Sequence, residues 1–210
     1  MTVAEQLALW ADRLRGISAI RLYFSKSIYE EASYRGVQDV AMEMHALATG
    51  QSLEQVEPLR GTVFSHPTPL ATGDGAVIDR EGQILLIQRA DNGKWAMPGG
   101  GLEVGESPAQ GVLREVLEET GVRCRAISLV GVFVSRFCGT PSPHHLYQFV
   151  FLCEPLPDAP VEAPSYGIEP RAMRWFAEDR LPADIDPGHR TRIPEGFRVW
   201  HGDQRAFFDR

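Results

Sequence analysis

Cysteine is scarce in this chain of 210 residues, which contains three: Cys124, Cys138 and Cys153. Their odd number and the lack of Cys-x-x-Cys spacing argue against a zinc ribbon or a thioredoxin-like redox motif. So few cysteines also argue against a secreted scaffold held together by disulfides. A reducing compartment, the cytoplasm, is the simplest interpretation.

Long hydrophobic runs are also missing, since no stretch approaches the roughly 18 apolar residues of a membrane span. The N-terminus carries Glu5 and Asp12 inside its apolar run. A secretory signal has a basic start and an uncharged centre instead. These features favour a soluble cytoplasmic protein with no membrane partner.

Basic side chains are outnumbered, with 21 Lys and Arg against 28 Asp and Glu and a formal net charge of −7. This balance argues against a broad basic surface for nonspecific DNA binding. It remains compatible with an anionic small substrate, because a bound metal ion can reverse the local field. The hydrophobic fraction of 43% is typical of a globular chain.

The first 50 residues predict two helices. Thr2-x-x-Glu5 is a capping box, and a narrow apolar seam follows it at spacings of four and three: Val3, Leu7, Trp10, Leu14 and Ile17. Ser27 is placed to cap a second helix and Gly50 to end it. The pattern fits a helical hairpin packed on its own domain and, equally, two copies paired in a homodimer.

After the two helices, the sequence pattern changes from helical periodicity to short apolar runs. We assign residues 1–60 to an N-terminal helical domain, a candidate for dimerisation, and the Pro- and Gly-containing residues 61–72 to a connector. Residues 73–210 form the second domain, which ends in an irregular tail. Its predicted elements are a β-hairpin at 75–88, a helix at 107–120, strands at 129–134, 146–153 and 171–176, and a tail without clear period at 182–210. Such a succession indicates a mixed α/β domain.

The informative stretch begins with a glycine-rich loop at Gly99–Gly101, which lets backbone come close to a ligand or metal ion. A helix follows, with Ser107 as N-cap, Gln110 completing a capping box and Gly121 placed to stop it.

Three carboxylates of this helix, Glu115, Glu118 and Glu119, fall within an arc of about 100°. Like charges so close repel and should raise at least one pKa, a cost that a divalent cation removes. Carboxylates without Cys or His suit Mg²⁺ or Mn²⁺. Arg114 lies four residues before Glu118, so the two can pair.

The alternative interpretation is a solvated acidic helix face with one (i, i+4) salt bridge. This interpretation does not explain why glycines, Glu106 and an adjoining apolar arc accompany the acidic face. We therefore favour a metal site.

The same stretch resembles the Nudix box, G-x5-E-x7-R-E-U-x-E-E-x-G-U, where U is a bulky aliphatic residue. Every specified position fits: Gly100, Glu106, Arg114, Glu115, Val116, Glu118, Glu119, Gly121 and Val122. With its N-terminal helices, the chain is similar to a bacterial Nudix subfamily that includes CDP-choline pyrophosphatases and ADP-ribose hydrolases. The resemblance implies an α+β Nudix fold, a mixed β-sheet sandwiched between helices, with an N-terminal helical hairpin. It also implies metal-dependent cleavage of a nucleoside diphosphate linked to another group.

The predicted site residues follow from the carboxylate arc together with this resemblance. The metal ligands are Glu115, Glu118 and Glu119, with a backbone carbonyl near Gly99 and with Glu106 through water or as a support of the loop. The catalytic groups are Glu118, Glu119 and Arg114; the general base is Glu118 or Glu119, or else a later carboxylate, Glu162 or Glu169. Arg89 and Lys94 are candidates for binding the phosphates.

Two other functions stay open. One is a Nudix enzyme acting on RNA ends, against which the net charge of −7 counts modestly. The other is a non-catalytic nucleotide sensor, against which the intact glutamate set counts. We expect a small nucleotide as substrate, Mg²⁺ or Mn²⁺ as cofactor and a homodimer as the assembly. The sequence does not name the base or the leaving group.

Overall fold

The computed structural model describes residues 2–65, 70–135, 137–140, 146–156 and 170–209. The chain divides into two compact units, Met1–Thr68 with Glu103–Gly105, and Pro69–Leu102 with Glu106–Arg210. Among the described residues, no helix has the length and apolar character needed to cross a membrane.

The first unit is helical. Its elements are α1 (Val3–Phe24), α2 (Ile28–Thr49), α3 (Leu53–Val56) and a π-helical segment at Arg60–Phe64. The predicted capping box is confirmed, because Thr2 accepts a hydrogen bond from the Glu5 backbone and Glu5 accepts one from the Thr2 backbone. Gly50 ends α2 at φ 69°, a left-handed conformation that glycine adopts without strain. Helices α1 and α2 pack side by side as the predicted hairpin.

The predicted apolar seam is only partly covered within the chain. The small residues Ala11 and Ala19 of α1 are buried, whereas Val3, Trp10 and Ile17 expose 79%, 47% and 54% of their surface. Exposed large apolar side chains along one helix are typical of a surface that another protein covers.

The second unit contains two sheets. Its strands are β1 (Leu70–Val77), β2 (Gln83–Gln88), β3 (Trp95–Ala96), β4 (Gly99–Gly101), β5 (Cys124–Val134), β6 (Leu146–Pro155), β7 (Ala172–Ala177) and β8 (Phe207–Phe208); its helices are α4 (Pro108–Thr120) and α5 (His189–Trp200), with a 3₁₀ turn at Glu178–Arg180. One sheet has the order β4-β1-β6-β5-β8, and the other has the order β3-β2-β7. Strand β1 pairs in parallel with β6 and antiparallel with β4, so the larger sheet is mixed as predicted.

Two hydrophobic clusters lie on opposite faces of β1. Val77 packs in the cluster that contains Val112 and Val116 of α4. The neighbouring Ala76 packs in the cluster that contains Ile193 and Phe197 of α5. Because successive strand residues point to opposite faces, this alternation places the sheet between the two helices.

The predicted β-hairpin at 75–88 is confirmed for its turn at Asp79–Gly82 and wrong for the pairing of its two strands. Strands β1 and β2 belong to different sheets, and within the described residues a single isolated bridge, Ile78–Ile84, connects them. Both edges of β1 are already occupied by β4 and β6, so β2 pairs with β3 and β7 instead.

The predicted irregular tail is also wrong, since α5 occupies its middle. Pro194 lies inside this helix and Gly196 follows, and both residues are usually found outside helix interiors. These two residues obscured the helical pattern in the sequence. The helix nevertheless has a buried face, on which Ile193 and Phe197, four residues apart, are each 1% exposed.

Two further boundaries differ from the prediction. The connector expected at 61–72 is shorter, because Arg60–Phe64 is π-helical and β1 already begins at Leu70. Strand β5 begins at Cys124, earlier than expected.

We expect Phe197→Ala to destabilise the protein by about 3–5 kcal/mol, because it removes a large side chain from the core beneath α5. The control is Thr191→Ala on the exposed side of the same helix, which should change stability by less than about 0.5 kcal/mol. Urea unfolding followed by circular dichroism measures both. Equal stability of the two variants would show that α5 is not part of the core.

Candidate active site

Helix α4 carries the predicted glutamates, and its start is fixed as expected. The Ser107 hydroxyl accepts a hydrogen bond from the Gln110 backbone, and the Gln110 side chain accepts one from the Ser107 backbone. Pro108 occupies the first turn and Gly121 closes the helix at φ 69°.

Glycines of β1 set the distance of this helix from the sheet. A Cβ atom at Gly73 would lie 2.5 Å from Cγ2 of Val112, and one at Gly75 would lie 2.6 Å from Cγ2 of Val116. Any larger residue at either position would push α4 outwards and displace the glutamates.

Arg114 contacts four groups at once. Its guanidinium donates to both carboxylate oxygens of Glu106 (3.1 and 2.9 Å), to Glu115 (2.8 Å), to Glu118 (3.1 Å) and to the carbonyl of Gly101 (3.0 Å). The predicted pairing of Arg114 with Glu118 is confirmed. The planar fork of an arginine suits this role, because its N–H groups point in several fixed directions.

Glu119 has a different partner. Its Oε2 accepts a hydrogen bond of 2.8 Å from the backbone N–H of Gly99. A Cβ atom at Gly99 would collide with the carbonyl oxygen of Gly73, and one at Gly100 would lie 2.5 Å from Oε2 of Glu115. The glycine-rich loop is therefore needed for a close approach of backbone to carboxylates.

The protein environment raises the pKa of two of these carboxyl groups. Burial raises the pKa of Glu119 to about 7, with a further contribution from repulsion by Glu115 and Asp74, against the Gly99 hydrogen bond, which lowers it. Burial also raises the pKa of Glu115, against the stabilising effect of Arg114. The expected upward shift is confirmed, although burial outweighs repulsion as its cause.

The donor chemistry of α4 fits a divalent cation. Three carboxylates on one arc offer hard oxygen ligands, and two of them have raised pKa values, so their negative charges lack sufficient compensation. Within the described residues these side chains do not form a closed ligand cluster. Arg114 holds Glu115 and Glu118, while Gly99 holds Glu119, so metal binding requires these side chains to turn.

Two cavities adjoin the glycine-rich loop that contacts this helix. The smaller, about 290 Å³, is lined by Glu119 and Gly99, and the larger, about 410 Å³, also reaches Gly99. Arg89, one of the two cations predicted to bind phosphate, lines both cavities and is paired with Asp91 at 2.7 and 3.0 Å.

The other predicted residues have different outcomes. Lys94 does not line either cavity among the described residues; its backbone amide donates to Asn92 instead. Glu162 and Glu169 lie outside the described residues. Glu106 lies at Arg114, in agreement with a role in fixing the loop.

The sequence did not indicate three buried polar residues at the cavities. Asp74 and Arg192, 118 residues apart, form a buried ion pair. His189 accepts a hydrogen bond of 3.2 Å from the Met97 backbone through Nδ1, and its pKa is lowered well below its usual value by burial and by Arg192 and Arg89. The spacing of His189, Arg192 and Ile193 along one helix face was the available signal, which Pro194 obscured.

Comparisons with known proteins agree with this geometry. A model of the NUDIX domain matches residues 69–195, and a model described as a UDP-X-like N-terminal oligomerisation domain matches residues 5–59. The sheets, the glutamate helix and the domain match define the class as a Nudix hydrolase. The chain belongs to the Nudix hydrolase family.

Two relatives match nearly the whole length of the chain, and a third matches about two thirds of it. It is 35% identical over 203 residues to a putative ADP-ribose pyrophosphatase, YjhB, of Bacillus subtilis (strain 168), covering 95% of each protein. A crystal structure of a UDP-X diphosphatase has a TM-score of 0.58 at 26% identity and covers 97% of this chain and 99% of that one. An ADP-ribose pyrophosphatase from Streptococcus suis 89-1591 has a TM-score of 0.57 at 25% identity, over 68% of this chain and 100% of its own.

We expect the metal-free protein to lose stability through Glu119 as the pH rises from about 4.5 to about 7. Within this window the folded state retains a proton that the unfolded state has lost, so unfolding becomes more favourable with rising pH. The contribution is at most about 3 kcal/mol. Glu119→Gln should remove it and be more stable than the wild type at pH 8.

Thermal melts in chelator between pH 5 and pH 8 measure this difference. Glu81→Gln, in the exposed turn between β1 and β2, is the control and should follow the wild-type profile. Parallel pH profiles for wild type and Glu119→Gln would show that the raised pKa of Glu119 is wrong.

Proposed function

We propose that this Nudix hydrolase requires a divalent cation, Mg²⁺ or Mn²⁺, and cleaves the diphosphate bond of a nucleoside diphosphate linked to a sugar, a ribose or an alcohol such as choline. The observation that carries the proposal is the set of glutamates organised by Arg114, next to the glycine loop that lines an open cavity of about 410 Å³. This volume is within the range of small-molecule sites. The relatives named for ADP-ribose and UDP-X support this substrate class.

Glu115, Glu118 and Glu119, with the Gly99 carbonyl and with Glu106 through water, are the groups that would hold the cation. When bound, a divalent cation neutralises phosphate charge and lowers the pKa of water.

Other roles fall to residues of the chain: orienting the ligands, binding phosphate and acting as the base. Arg114 limits the rotation of Glu115 and Glu118, and the Gly99 N–H directs Glu119. Arg89 lines both cavities and would contact phosphate oxygens. Glu118 and Glu119 are the base candidates among the described residues; Glu162 and Glu169 remain the alternatives from the later loop.

A panel of UDP-glucose, ADP-ribose, CDP-choline, nucleoside triphosphates and a short 5′-triphosphate RNA tests the function. With millimolar Mg²⁺ we expect cleavage of a nucleoside diphosphate derivative to a nucleoside monophosphate and a phosphorylated partner, measured by chromatography. Excess chelator should abolish it. Full turnover in chelator, or cleavage of the RNA end alone, would contradict the proposal.

Variants of the glutamates complete the same test. Glu118→Gln and Glu119→Gln keep side-chain size, so at least one should lose about a hundredfold in kcat, while folding is preserved. Arg114→Ala should lose less in kcat and act partly through stability, since it orients ligands. Glu81→Gln is the control with wild-type kcat. If both α4 variants keep more than about half of the wild-type kcat, the glutamates are not catalytic.

We also propose a homodimer formed through residues 1–60. The match to an N-terminal oligomerisation domain and the exposed Val3, Trp10 and Ile17 of α1 support it. Light scattering at micromolar concentration should give twice the mass of one chain for the wild type and a smaller mass for the double variant Trp10→Glu, Ile17→Glu. The control Glu54→Ala, at an exposed position of α3, should remain dimeric. A monomeric wild type would contradict this assembly.

We propose the cytoplasm as the compartment. All three cysteines are free, and Cys138 and Cys153 are buried. Burial raises the pKa of the half-buried Cys124 to about 12, so its thiol stays protonated. Unreactive, unpaired thiols suit a reducing compartment.

A further inference from the structure

Two buried polar side chains of the larger cavity have no part in the reaction described above. Gln148 of β6 and His189 of α5 both line this cavity. They are 5% and 4% exposed, respectively. Their importance lies in which of their atoms are already hydrogen-bonded inside the protein.

His189 has a fixed tautomer. Its Nδ1 accepts the hydrogen bond from the Met97 backbone N–H, so Nδ1 carries no proton and the ring proton is on Nε2. The ring is therefore neutral, and Nε2–H is a donor.

Gln148 is oriented in a comparable way. Its Oε1 accepts hydrogen bonds from the Thr140 hydroxyl (3.0 Å) and from the Cys138 thiol (3.1 Å). The amide oxygen is thus engaged inside the protein, and the two N–H groups on Nε2 point away from these partners.

Neither Nε2 atom is sealed inside the protein. Among the described residues, the enclosed side-chain polar atoms without a hydrogen bond are Thr72 Oγ1 and Ser128 Oγ. Neither Nε2 atom has a protein acceptor among these residues. Nε2 of Gln148 therefore reaches the open volume of the larger cavity, and Nε2 of His189 reaches that of the two cavities that it lines.

The charged side chains of the cavity already have hydrogen-bond partners within the protein. Arg89 pairs with Asp91 and Arg192 with Asp74. The remaining carboxylate, Asp186, accepts hydrogen bonds from Asn92 (3.0 Å) and from the Gly188 backbone (3.1 Å). The donors left over are neutral N–H groups, which suit neutral oxygen acceptors better than an additional phosphate.

We propose that His189 and Gln148 determine specificity by donating hydrogen bonds to neutral oxygen atoms, sugar hydroxyls or base carbonyls, of the group joined to the diphosphate. The inference rests on the proposed function for placing the diphosphate itself at the glutamates of α4. A site with fixed buried donors discriminates strongly against ligands that lack the acceptor, because the donors are then left unpaired.

Two substitutions of His189 distinguish the loss of its Nε2 donor from the loss of its hydrogen bond to Met97. In His189→Asn the amide oxygen takes the place of Nδ1 and keeps the Met97 bond, while the outer donor is lost. In His189→Gln the amide nitrogen takes the place of Nε2, while the Met97 bond is lost. We expect KM to rise about tenfold in His189→Asn with kcat changed less than about twofold, and His189→Gln to recover much of this loss despite a lower melting temperature.

Gln148→Met tests the second donor. Cys138 Sγ and Thr140 Oγ1 lie 3.3 Å apart, so each retains a partner when the amide is removed. We expect a comparable rise in KM, whereas Thr191→Ala, on the exposed side of α5, should keep the wild-type KM. Unchanged KM values in both His189→Asn and Gln148→Met would overturn the proposal. So would His189→Gln losing as much affinity as His189→Asn.

Calorimetric titration with Ca²⁺ in place of Mg²⁺ tests binding without turnover. Pyrophosphate should bind the wild type and His189→Asn equally. A weaker affinity of His189→Asn for UDP shows that these donors recognise the nucleoside. A weaker affinity for UDP-glucose, with unchanged affinity for UDP, shows that they recognise the attached sugar. An equal loss for pyrophosphate, or no loss for any ligand, would overturn the inference. A wild type that binds these ligands but hydrolyses none would instead contradict the proposed function.

Discussion

The contacts of the Arg114 guanidinium are the interaction on which the site depends. One cation holds Glu106, Glu115 and Glu118 together with the Gly101 carbonyl, so the glycine-rich loop and the helix after it behave as one unit. Without it, neighbouring carboxylates would repel each other in a half-buried position, where charge is poorly screened. Its position four residues before Glu118 follows from helical geometry, whereas Glu106 reaches it from the loop before the helix.

A second constraint acts from the other side of the loop. The C-terminal helix α5 contributes His189, which holds the Met97 backbone, and Arg192, which pairs with Asp74 beneath Gly99. The loop is thus held between α4 and α5, and the cavity walls come from both ends of the domain sequence. Removal of one partner of the buried Asp74–Arg192 pair would leave an uncompensated charge in the core, which is costly.

Local features of the fold were predictable because their causes are local. The capping boxes at Thr2 and Ser107 and the terminal glycines Gly50 and Gly121 specify helix ends within a few residues. The separation of β1 from β2 depended on strands far along the chain. Helix α5 was hidden by Pro194, and with it His189 and Arg192. Periodicity does not report pairings across 118 residues, such as Asp74 with Arg192.

The glutamates of α4 are the proposed binding site of a divalent cation. Titration of the protein with Mn²⁺, followed by the loss of the free-ion electron paramagnetic resonance signal, tests it most directly. We expect saturable binding by the wild type, weaker binding by Glu115→Gln and unchanged binding by Glu81→Gln, before any substrate is added. A wild type that leaves the Mn²⁺ free, or a Glu115→Gln variant that binds as well as the wild type, would contradict it.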